Sequence, residues 1–172
     1  MALLYPKLYV ASLFEINPDA LCRRGIRGII FDLDNTIVPR DVAHCSEEIA
    51  AWLEDLKRRG FKICIVSNNK TLRVHTVAEA LDVPAVCHAI KPLKRSFCRA
   101  MELMGTGPRE TAIIGDQIFT DILGGNRLGL YTILVAPLPG REFWATRMFN
   151  RRMEKFVLAR LKKRTGRPGP PG

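Results

Sequence analysis

The chain has 172 residues, with 47% hydrophobic and 26% charged side chains, and 27 Lys+Arg against 17 Asp+Glu give a formal net charge of +10. That length buries a core without disulfide or metal staples. The composition excludes a chain disordered throughout, and no apolar run approaches the roughly 18–20 residues of a membrane span.

A sequence pI near 9.8 points to an anionic partner: nucleic acid, an acidic membrane surface or a phosphorylated substrate. Cys22, Cys45, Cys64, Cys87 and Cys98 form no CxxC or Cys/His cluster, which fits reduced thiols in a cytosolic compartment. Met1–Val10 has no basic leader and is interrupted by Pro6 and Lys7, so neither a secretory signal nor a transit peptide is expected. A bacterial cytoplasmic setting is therefore expected over an organellar one.

Met1–Leu21 is apolar with few charges and is expected to pack on the domain or lie at a surface. Gly28–Leu33 reads as a buried strand. A helix over about Ser46–Arg59 follows, with Ser46 as N-cap, Glu47 and Glu48 in the first turn and Gly60 after the last. Strands are then expected at Phe61–Val66, Ala85–Ile90, Thr111–Ile114 and Leu130–Val135. Helices are expected at Thr71–Leu81, Leu93–Met104 and Ile118–Leu128. Strands apolar throughout, alternating with helices, predict an α/β domain with a Rossmann-like, doubly wound parallel sheet.

Charge is unevenly placed. Residues 141–172 hold 10 basic and two acidic side chains, a net of +8, which leaves +2 for residues 1–140. The expected organisation is a domain over 1–140, a basic amphipathic helix over 141–164 and a disordered tail over 165–172. On a helix, Phe149, Met153, Phe156, Val157 and Leu161 share one side, and Arg147, Arg151, Arg152, Lys155, Lys162 and Lys163 fall mostly on the other. Such helices lie at anionic membrane surfaces. The competing expectations are an apolar stripe packed on the domain or, last, nucleic-acid contact; Trp144, Met148 and Leu158 lean toward the basic side.

In open α/β sheets, ligands bind beyond the carboxyl ends of the strands. Four consecutive strand ends carry polar groups: Asp32 and Asp34, then Ser67-Asn68-Asn69, then Lys91-Pro92, then Gly115-Asp116 with Asp121 five residues on. Alternation along an extended chain turns Asp32 and Asp34 the same way. Ser67 and Asn68 offer a hydroxyl and backbone N–H groups to a phosphate. Carboxylates without His or Cys suit Mg²⁺. One carboxylate can attack phosphorus while a second moves the proton, with Lys91 and the metal neutralising charge.

FDLDNT, VSNN, KPLK and GDQIFTD occur in the order of the four motifs of the haloacid dehalogenase superfamily of phosphatases, which residues 5–140 resemble. With GGNRLGLYTILV, the similarity narrows to the YqeG family, the group without a cap domain that includes phosphatidylglycerophosphate phosphatase. The resemblance implies that Asp32 is the nucleophile, Asp34 the general acid/base, and Ser67 and Lys91 the phosphate-holding pair. It implies Mg²⁺ held by Asp32, the backbone carbonyl of Asp34 and Asp116, with Asp121 a supporting acid or alternative ligand. Lys94 is a weaker counterpart of Lys91. Asp121 reads equally well as a helix first-turn charge, and Asn126 and Arg127 either contact substrate or end a helix.

Asp34 to Ser67 spans 33 positions and Ser67 to Lys91 spans 24, each used up by one helix and one strand, so no cap fits. An uncapped site suits a phosphate displayed on something large. The expected function is Mg²⁺-dependent hydrolysis of a phosphomonoester through an aspartyl phosphate. The first choice of substrate is phosphatidylglycerophosphate, at the inner face of a membrane. The alternatives are a soluble or macromolecular monoester (nucleotide or phosphoprotein) and a non-catalytic module binding anionic lipid or RNA.

Overall fold

The structure is a computed structural model and describes residues 2–40, 42, 44–69 and 72–138. Apolar strands with no polar alternation have no face to offer water, and here they assemble into one all-parallel sheet. In chain order the strands are β1 (Leu8–Val10), β2 (Gly28–Phe31), β3 (Lys62–Val66), β4 (Ala85–Val86), β5 (Thr111–Gly115) and β6 (Tyr131–Val135). Across the sheet they run β1-β6-β5-β2-β3-β4. The helices are α1 (Pro18–Arg23), α2 (Glu47–Arg58), α3 (Leu72–Ala80), α4 (Lys94–Met104) and α5 (Leu123–Leu128), with a π-helical segment at Ile118–Ile122. The expected α/β architecture without a cap is what forms among the described residues.

Alternation along the central strands divides the core into two layers. Ile29 and Phe31 of β2 join Ile63, Ile65, Ile114 and Ile133 under α2 and α3, whose Leu53, Leu56, Val74 and Val77 face them. Ile30 joins Cys64, Val66 and Ile113 on the other side, under Phe97, Ala100, Met101 and Met104 of α4. α2 begins as its sequence dictates: Ser46 Oγ accepts from Ile49 N at 3.3 Å, with Glu47 and Glu48 in the first turn. α4 ends at Gly105, whose φ of 60° suits glycine.

Three expected elements differ. The N-terminal segment supplies a sixth strand, with Leu8, Tyr9 and Val10 paired to Ile133, Leu134 and Val135, and a short helix that Asn17 caps through Asp19 N and Ala20 N. The strand expected at Ala85–Ile90 stops after two residues, because His88 adopts φ 54° and leaves the extended ladder. The helix expected at Ile118–Leu128 is π-helical over its first five residues. The helix and tail expected at 141–172 lie outside the described residues.

Candidate active site

β2 continues to β3 on one side of the sheet and β5 continues to β6 on the other, so the crevice between the ends of β2 and β5 is the topological switch point. Asp32 follows β2, its N–H donating to Ile114 O at 2.9 Å, and Asp116 follows β5. Two carboxylates thus stand on either side of the crevice where ligands of such sheets bind.

Lys91 enters the same crevice from the turn after β4. Its Nζ donates to Asp32 Oδ1 and, at 2.7 Å, to Asp121 Oδ1, and all three side chains are buried. Asp121 is fully buried within the π-helical segment, and its second oxygen accepts from Gln117 N at 3.2 Å. Gly115 makes this approach possible: a Cβ there would collide with the Asp121 carboxyl group. Asp121 is therefore an interior anchor for Lys91. Lys94 lies exposed at the start of α4, away from that anchor.

Asp34 is buried, yet its carboxylate takes a different direction from that of Asp32. It accepts from Asn69 Nδ2 at 2.7 Å and from Arg73 Nη1 at 2.5 Å. Beyond Asp32, whose N–H still bonds to Ile114 O, the chain turns at Asn35, φ 60°, so strand alternation no longer governs the pair. Arg73 is the residue that sequence reasoning missed. Its guanidinium also donates to Val42 O at 2.6 Å and Pro39 O at 2.8 Å, binding the loop after β2 to the start of α3. A lone arginine in the first turn of a helix gives no signal in sequence; only the fold brings it to Asp34.

Ser67 is fully buried at the end of β3, where its Oγ accepts from Asn69 N at 3.1 Å. Asn68 is exposed and accepts from Lys91 N at 3.2 Å through Oδ1, which locks the loop after β3 to the Lys91 turn. Asn126 lies elsewhere: it donates to the carbonyls of Leu3 and Tyr5 and accepts from Thr132 Oγ1, a structural clasp.

Burial drives Asp32 up from the ordinary carboxylate range to about 7, against the pull of Lys91 and with the push of Asp121 and Asp34. Burial and then the charges of Asp32 and Asp121 drive Asp116 up to about 8. For Lys91, burial opposes the charge, but Asp121 and Asp32 outweigh it and hold the ammonium above its usual value. With all four ionised, the carboxylates Asp32, Asp34, Asp116 and Asp121 outnumber the cations Lys91 and Arg73 by two charges, and the raised values of Asp32 and Asp116 reflect burial and that excess.

A divalent cation fits that excess. Oxygens of Asp32, Asp116 and Asp121 lie within 4.8 Å of one another, and Asp32 Oδ2 and Asp116 Oδ1 are buried without a hydrogen-bond partner among the described residues. An all-oxygen donor set suits a hard ion such as Mg²⁺. The Asp34 carboxylate stands outside this cluster.

The model of the haloacid dehalogenase-like hydrolases matches residues 40–129, which include Ser67, Lys91 and Asp116. The chain belongs to the haloacid dehalogenase-like hydrolases. This hydrolase is 41% identical over 159 residues to the "Probable phosphatase YqeG" of Bacillus subtilis, covering 92% of each chain. It is 28% identical over 167 residues to the chloroplastic/mitochondrial phosphatidylglycerophosphate phosphatase 1 of Arabidopsis thaliana, covering 92% of this chain but 47% of that protein. Among solved structures, the cobalt-bound deoxy-D-mannose-octulosonate 8-phosphate phosphatase of Haemophilus influenzae superposes with a TM-score of 0.56 at 12% identity, over 79% of this chain and 89% of that one. That likeness speaks to the fold. The hydrolase is an enzyme of the phosphatase type.

Proposed function

We propose that this hydrolase removes the terminal phosphate of phosphatidylglycerophosphate at a membrane surface, with Asp32 as nucleophile. The observation that carries the chemistry is Asp32 at the switch point, bonded by Lys91 and flanked by Asp116. The lipid substrate is supported by the similarity to phosphatidylglycerophosphate phosphatases and by a site that no cap covers among the described residues.

Substrate phosphate is held by Ser67, the loop N–H groups after β3 and Lys91, whose ammonium offsets charge on the transferring oxygens. An Asp32 oxygen attacks phosphorus and the ester P–O bond breaks, while Asp34 delivers a proton to the departing alkoxide. Asp34 then takes a proton from the water that attacks the aspartyl phosphate, releasing inorganic phosphate and restoring Asp32. Arg73 and Asn69 keep the Asp34 carboxyl aimed during both transfers. Asp32, Asp116 and the Asp34 carbonyl would hold Mg²⁺, which supplies positive charge to the phosphoryl oxygens.

Residues 141–164 form, in this proposal, a basic amphipathic helix that attaches a cytoplasmic 1–140 domain to the inner face of a membrane, and 165–172 form the tail. No helix among the described residues is long and apolar enough to cross a membrane.

Phosphate release from vesicle-borne phosphatidylglycerophosphate, a nucleotide and a phosphoserine peptide, each with and without Mg²⁺, tests the proposal. Asp32→Asn is expected to lose at least a thousandfold in kcat. Full turnover by that variant removes the nucleophile. Preference for the nucleotide or peptide removes the lipid, and absence of Mg²⁺-dependent release from all three favours a non-catalytic module.

A further inference from the structure

Several large apolar side chains are exposed in the described residues, and three of them stand where the catalytic loops emerge: Leu72 at 82% exposure, Ile90 at 68% and Leu93 at 53%. Ile90 and Leu93 are the ends of one turn, closed by Leu93 N donating to Ile90 O at 2.8 Å. The Lys91 side chain points from that turn into the site. The loop after β3 is tied to the same region by His88 N to Asn69 O and by Lys91 N to Asn68 Oδ1. α3 and α4 cover opposite sides of the sheet, so Leu72, the first residue of α3, and Leu93, the N-cap of α4, border the carboxyl edge from both sides.

The charges beside these side chains are as uneconomical for the fold as the apolar exposure. Lys94 and Arg95 occupy the first turn of α4, which holds no acidic residue and has no side-chain cap. Cations there oppose the helix dipole. Residues 67–78 and 83–101 contain six Lys+Arg and no Asp or Glu. Local rules are broken together at one place, which marks a functional surface.

We propose that Leu72, Ile90 and Leu93, with Lys94 and Arg95, form a docking rim that seats the mouth of the active site on an anionic bilayer. The apolar tips enter the headgroup region and the two cations meet lipid phosphates. Residues 141–172, at net +8, carry the same sign as the rim and are the wrong occupant for it. The inference rests on the lipid reading of the substrate. It adds that bilayer presentation is performed by the loops of the site themselves.

The experiment compares the full chain with Leu72→Ser/Ile90→Ser/Leu93→Ser and with Lys94→Glu/Arg95→Glu. Each is assayed on phosphatidylglycerophosphate in phosphatidylglycerol vesicles and on its dihexanoyl form, dissolved as a monomer. The rim predicts that the vesicle-to-monomer ratio of kcat/KM falls at least tenfold in both variants. An unchanged ratio overturns the rim, as does an unchanged ratio accompanied by a parent dimer that the triple variant dissociates, which would give the apolar turn to a second copy. If the parent hydrolyses neither form, the substrate reading fails and the rim is judged on sedimentation with phosphatidylglycerol vesicles alone. A tenfold loss of partition in the variants then supports it, and equal partition overturns it.

Discussion

Asp121→Asn is nearly isosteric, yet it should be costly. Asp121 accepts two hydrogen bonds in full burial, from Lys91 Nζ at 2.7 Å and Gln117 N at 3.2 Å. An asparagine offers one oxygen for these two donors, so in either orientation its NH₂ group faces an N–H. The loss of a charged hydrogen bond is about 1.5–3 kcal/mol and of a satisfied buried donor about 1–3 kcal/mol. Because Lys91 keeps Asp32 as a partner, the sum should fall near the lower end of what breaking a buried ion pair costs, about 3 kcal/mol. At this chain length that corresponds to about 6–12 °C in Tm. Urea unfolding in EDTA measures it directly. The same substitution removes a charge that raises both Asp32 and Asp116, so the acid limb of kcat/KM should move to lower pH. A loss below about 1 kcal/mol with an unmoved acid limb would show that Asp121 is merely a first-turn charge.

Two further predictions concern the acids and their support. Asp32 at about 7 and Asp116 at about 8 lie above the ordinary 3.8, so the native state keeps protons that the unfolded chain has released. Their contribution to the stability of the metal-free protein is full below about pH 4 and lost as pH rises through about 7–8. Mg²⁺ must displace those protons, so saturating Mg²⁺ should raise Tm more at pH 8.5 than at pH 5.5; equal shifts at the two pH values would refute the assignment. Arg73→Ala severs Asp34 from the carbonyls of Pro39 and Val42 and should lower kcat at least tenfold. Arg73→Lys should recover only part of this, because an ammonium cannot reproduce the guanidinium fork. Retention of kcat within twofold by both variants would separate Arg73 from the chemistry.

The sheet and the identity of its polar ends were legible because parallel strands buried on both faces are apolar throughout, and the residues that terminate them stand out. The anchoring of Lys91 by Asp121 was only half visible: the sequence offers an acid near a helix start, and its inward direction comes from the π-helical turn and the bare backbone of Gly115. Arg73 was hidden because its partner lies 39 positions away. β1 escaped notice as three residues with no measurable period, although Asn17-Pro18-Asp19 carried a legible cap for α1. β4 ends short of the Ala85–Ile90 that the sequence suggests, because Cys87–Ile90 is apolar enough for a strand while the loop holding Lys91 needs a turn there.

The clasp by which Asn126 grips the carbonyls of Leu3 and Tyr5 has a consequence for handling the molecule. It fastens the segment that lays β1 along β6, and β1 is the short strand that closes that flank of the sheet. Without it, β6 would show its outer edge at Ile133, Leu134 and Val135, three apolar residues with that side of the backbone unpaired, a template for strand addition by another chain. Damage to the first ten residues, or to Asn126, should therefore surface as self-association, even though the active-site crevice lies two strands away, between β5 and β2.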